Sequence, residues 1–69
     1  MSTEAEAVER CIRYYKLSQL KHICEQCQLV THGTKANLTR RILDSGRVTA
    51  NQARLYGEEV LRRERIGKK

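Results

Sequence analysis

Residues 17–43 read Leu-Ser-Gln-Leu-Lys-His-Ile-Cys-Glu-Gln-Cys-Gln-Leu-Val-Thr-His-Gly-Thr-Lys-Ala-Asn-Leu-Thr-Arg-Arg-Ile-Leu. Two helical arcs flank a stretch that continues neither. Leu20, Ile23, Cys24 and Cys27 fall within about 100° at the helical period, which predicts a helix over about Gln19–Cys27 with Ser18 as N-cap. His22, Glu25 and Gln26 are expected to face away. Leu38 and Ile42 form the inner pair of a second helix over about Thr34–Leu43, with Leu43 and Ala36 at its edge. Asn37, Arg40, Arg41 and Asp44 make its outer face, and Ser45-Gly46 supplies a glycine stop. Between the helices, Gln28-Leu-Val-Thr-His-Gly33 reads as an extended loop held on the core by Leu29. Gly33 suits a positive φ or a close backbone approach.

Outward from this stretch, the chain offers two more helices. The first is predicted over about Glu4–Tyr15, where Thr3 and Glu6 complete a capping box. Val8, Cys11, Ile12 and Tyr15 share its apolar stripe, while Arg10 and Arg13 point away. The last runs over about Ala50–Arg65, capped by Thr49, with Ala53, Tyr56, Val60 and Leu61 inward. Glu58–Arg62 and Glu59–Arg63 are i,i+4 pairs in the favourable order. Gly57 costs about 1 kcal/mol against Ala and predicts a kink or fraying. With no Pro, Phe or Trp, and no sustained alternation, the chain reads as all-α: a small four-helix domain around a helix–extended loop–helix core at residues 17–44.

Sixty-nine residues make one domain with a thin stability margin. Small-molecule pockets typically need roughly 300 Å³ or more, which leaves little room for one beside the core. No small-molecule substrate or cofactor is therefore expected. The charge is lopsided: residues 10–69 hold fourteen Lys and Arg against five acids. That excess fits a polyanionic partner, whether DNA, RNA or an acidic protein surface, or else a self-repelling soluble surface. Three Cys do not make a paired framework, there is no signal-peptide apolar region, and no run approaches membrane length. These features predict an intracellular, reduced chain and no membrane partner. The tail of Arg62, Arg63, Arg65, Lys68 and Lys69 reads equally as a nuclear address or as the end of a solvated helix.

The spacing within residues 17–43 strongly resembles the SAP family, a helix–extended loop–helix module that binds DNA. Ser18, Leu20 and Lys21 match its capped Leu-Lys opening, Cys24 an apolar position, and Leu29 the Leu that closes the first helix. Gly33, Lys35 and Leu38 match Gly-x-Lys-x-x-Leu. Arg41, Ile42 and Leu43 match an Arg followed by two aliphatics. Gln28 departs from the pattern, since the family usually has Gly there. The flanking helices and His32-Gly33 are similar to the N-terminal SAP modules of PIAS-type SUMO ligases, although the chain has no RING-like segment. The resemblance implies duplex-DNA binding with an A/T-rich preference, a nuclear location, and a role in recruiting a larger protein to chromatin. On that view Met1 is a natural start and the chain an N-terminal piece.

The residues themselves suggest how binding would work. A helix N-terminus presents unpaired N–H groups at its positive end, which suits phosphate. Gly33 would admit a sugar-phosphate backbone, with Thr31, His32 and Thr34 as donors and Lys35 as a mobile charge. Lys16 and Lys21 are expected to flank this seat, and Arg40 to reach a second phosphate. Arg41 could equally cover apolar surface with its stem.

Rival chemistries are weaker. His22, Cys24, Cys27 and His32 are zinc-ligand types. However, Cys24 and Cys27 lie on the apolar stripe, and His22 is about 160° from Cys24 around a helix. No metal site is expected. A redox Cys24/Cys27 pair lacks a helix N-terminus to lower a thiol pKa. No acid pair or phosphate-loop motif suggests catalysis, so an enzyme is not expected. The serious alternative is a protein-docking module that uses the outer helices, Tyr14 and Leu55.

Overall fold

The computed structural model describes residues 3–67, so Lys68 and Lys69 of the basic tail lie outside the described residues. The protein is all-α. Its four helices are α1 (Glu4–Ile12), α2 (Leu17–Gln26), α3 (Lys35–Ser45) and α4 (Ala50–Gly67), with no strand among the described residues. None of these helices is long and apolar enough to cross a membrane.

Local chemistry sets most of the helix ends. Thr3 Oγ1 accepts from the Glu6 N–H, and the Glu6 carboxylate accepts from the Thr3 N–H, closing the expected capping box. Thr49 and Gln52 repeat this reciprocal pair at the start of α4. Thr34 caps α3 by accepting from the Asn37 N–H at 3.2 Å, and Gly46 ends that helix at φ +68°. The start of α2 differs from expectation. Gln19 Oε1 accepts from the Lys16 N–H at 2.8 Å, so the helix begins at Leu17 with Lys16 as its N-cap residue. Ser18 is not the cap, because its hydroxyl donates to Glu64 instead. Helix α1 also stops three residues short of Tyr15.

α1 and α2 each pack on both α3 and α4. The core they enclose holds Val8, Ile12, Leu20, Ile23, Cys24, Leu38, Ile42 and Ala53, together with Val48 from the α3–α4 link. Cys11, Tyr15, Cys27, Leu29, Leu43 and Tyr56 are half-buried against it. Burial raises the Cys24 and Cys27 thiols above their ordinary pKa. Both therefore behave as small hydrophobes.

Several inward and outward assignments change. His22 is buried rather than outward, because α4 covers that flank of α2. Its Nε2 lies 2.9 Å from Glu59 Oε1, and its ring stands edge-on to Tyr56. An ionised carboxylate only accepts, so the imidazole N–H is the donor. Leu61 is 42% exposed rather than inward, and Ala36 is exposed. Neither expected i,i+4 pair on α4 is among the ion pairs of the described residues, which are Lys16–Glu64 and the contacts of His22 with Glu25 and Glu59.

Gly57 neither breaks nor ends α4. A Cβ there would lie 2.6 Å from Cζ and Oη of Tyr15, so the missing side chain lets the ring lie on the helix. That ring is tied down at its far end, where the phenol donates to the Ala53 carbonyl at 3.2 Å and meets Cys11 Sγ at 3.4 Å. Burial, aided by the Cys11 contact, pushes the phenol well above its usual pKa.

Candidate nucleic-acid interface

The loop between α2 and α3 starts from a six-residue turn. The Leu29 N–H donates to the Cys24 carbonyl at 2.7 Å and the Gln28 N–H to the Glu25 carbonyl at 3.2 Å, with Gln28 left-handed at φ +61°. This is the Schellman pattern, and it drops Leu29 onto the core beside Cys24. A glutamine thus occupies a conformation that costs non-glycine residues roughly 1–2 kcal/mol.

Two arginines hold the turn and the loop by their carbonyls. Arg41 Nη1 donates to Val30 O at 3.1 Å and to His32 O at 3.0 Å, and Arg47 Nη1 donates to Cys27 O at 3.3 Å. Arg41 is therefore a strap between α3 and the loop. No sequence pattern signals this role for Arg47.

Gly33 takes φ +123°, a region that disfavours any side chain, and a Cβ there would press on Asn37 at 3.2 Å. It delivers the chain to Thr34 and the start of α3. With the Asn37 N–H held by Thr34, the Lys35 and Ala36 N–H groups have no partner within the described chain. His32, Gly33, Thr34 and Lys35 are all exposed, and Thr31 is half-buried.

The remaining candidates divide. Lys21 and Thr31 line one groove with Arg63, Val60 and two acids, Glu25 and Glu64. Lys16 approaches Glu64 at 3.3 Å, which partly neutralises it. Arg40 lies in a separate groove on the outer face of α3, with Asn37, Asp44 and Leu29. The structure thus brings Lys21 and Thr31 together and places Arg40 elsewhere. Among the described residues, no three His, Cys, Asp or Glu side chains gather as a metal site would require.

No family model, curated protein or solved structure matches this chain. Of the Lys and Arg residues described, only Lys16 meets a carboxylate within ion-pair distance. Arg63, which the sequence assigned to a helical ion pair, lies in the groove with Lys21 and Thr31.

Proposed function

We propose that this chain is a nucleic-acid-binding module whose ligand is duplex DNA, held by phosphate contacts at residues 31–35. The observation that carries this reading is the exposed start of α3. Two unpartnered N–H groups there adjoin Gly33 and the exposed Lys35 in a chain with an excess of six positive charges. The resemblance of residues 17–43 to SAP modules supports the same ligand, an A/T-rich preference read through groove shape, and a nuclear role tethering a larger protein to chromatin. On this reading the module has no catalytic chemistry of its own.

Fluorescence anisotropy with a labelled A/T-rich duplex, at several salt concentrations, tests the site. Lys35→Ala should weaken binding across sequences and reduce the salt slope by about one. Unchanged affinity and slope in the folded variant would contradict the assignment. Tighter binding to RNA would change the ligand.

A second reading, a helical docking module, rests on Tyr14, which is 86% exposed in the α1–α2 turn. Loss of binding to a protein partner on Tyr14→Ser, with DNA affinity unchanged, would favour it.

A further inference from the structure

Sequence spacing pairs Glu59 with Arg63, but the two form no ion pair, although both line a groove with His22 and Arg62. Glu59 turns to His22, at 2.9 Å, and Arg63 has no carboxylate within ion-pair distance among the described residues. Glu64, its chain neighbour, is occupied by Lys16 at 3.3 Å and by the Ser18 hydroxyl at 3.2 Å. The two nearest acids of α4 are thus engaged by α2. Arg63 and Glu64 line the groove between α2, the loop and α4, where Lys21 supplies a second cation and Thr31 a hydroxyl, the Ser18 hydroxyl being already donated to Glu64. Glu25 also lines this groove, and its carboxylate lies 4.0 Å from His22 Nδ1.

We propose that Arg63 is a phosphate contact, and that this groove carries the sugar-phosphate backbone from the loop at residues 31–35 across α2 onto α4. The inference rests on the nucleic-acid reading above and extends it to a helix outside the resemblance. Thr31 provides the continuity, because it belongs both to the loop and to the groove wall. A guanidinium presents a planar fork of donors that matches two phosphate oxygens, and Lys21 adds a point charge.

Arg54 is the internal control. It is exposed on the same helix, nine residues from Arg63, and so about 180° around it. Arg63→Ala and Arg54→Ala remove the same charge from opposite faces. Both variants of the full chain would be titrated with the A/T-rich duplex between about 50 and 200 mM salt, and folding checked by circular dichroism.

Arg63→Ala should weaken binding by about 3–10-fold and lower the salt slope by about one, while Arg54→Ala stays within about twofold of the parent. Equal losses in the two variants would mean that only net charge matters, and would overturn the groove. An unchanged Arg63→Ala beside a weakened Lys35→Ala would overturn it while leaving the nucleic-acid reading intact. No binding by the parent chain at low salt would overturn both.

Discussion

The α2–α4 seam and the α2–α3 loop are both rich in polar groups, but they treat them oppositely. In the seam the groups turn inward and satisfy one another. Gln19 Nε2 donates to the Gly57 carbonyl at 3.2 Å, His22 meets Glu59, and Tyr15 reaches the Ala53 carbonyl. No buried side-chain nitrogen or oxygen among the described residues lacks a partner. In the loop the Val30 and His32 carbonyls accept from Arg41 at the surface, while the residues from His32 to Lys35 stay exposed. The contrast teaches that satisfied polar groups specify how helices pair, whereas unsatisfied ones at a helix start remain available to a ligand.

Breaking the seam should have the largest effect. Gly57→Ala drives a methyl into the Tyr15 ring. Overpacking of this kind costs about 1–3 kcal/mol, against about 1 kcal/mol gained in helix propensity. A net loss of up to about 2 kcal/mol is expected, which for a domain of this size lowers Tm by about 4–8 °C per kcal/mol. In a Tyr15→Ala background the same substitution should become stabilising, because the obstructing ring is gone. Thermal melts of the four proteins measure this coupling, and additive effects would contradict the close approach.

The loop should respond in the other direction, and more weakly. Gln28→Gly relieves a left-handed glutamine and should stabilise the fold by about 0.5–1 kcal/mol, after allowance for the greater freedom of glycine in the unfolded chain. A raised urea midpoint with unchanged DNA affinity is expected. A lowered midpoint would mean that the turn does not need its left-handed residue.

The smallest effect is alkaline. Cys24 and Cys27 keep their protons to higher pH when folded, because burial raises both pKa values. The unfolded thiols ionise near pH 8.5, so above that pH the unfolded state binds fewer protons and stability falls as pH rises. The contribution is fully present below that pH. Urea midpoints at pH 7, 8 and 9 should decline, and Cys24→Ala should flatten the decline even though it destabilises the protein. An unchanged slope would place the thiol outside the core.

Helix caps and apolar periods made most of the fold readable from the sequence. Thr3, Thr34, Thr49 and Gly46 mark ends that depend only on neighbours in the chain. Leu20, Ile23, Cys24, Leu38 and Ile42 mark the inner faces of α2 and α3 by spacing alone. Several of the misses depend on a second element packing against the first. His22 looks outward until α4 covers it, and Leu61 looks inward although α4 turns it toward solvent. Gly57 looks like a defect until Tyr15 lies on it. At the candidate interface the loop was readable as a continuous segment. Arg63 was not, because helical spacing pairs it with Glu59, which instead meets a histidine far away in the chain.

An amide-shift NMR titration of the labelled chain with a short A/T-rich duplex, at low and physiological salt, tests the central claim most directly. Shifts are expected to concentrate at Thr31–Lys35, Lys21 and the Arg63 turn of α4, and to shrink as salt rises. An absence of shifts at low salt, or shifts confined to α1 and the outer face of α4, would contradict it.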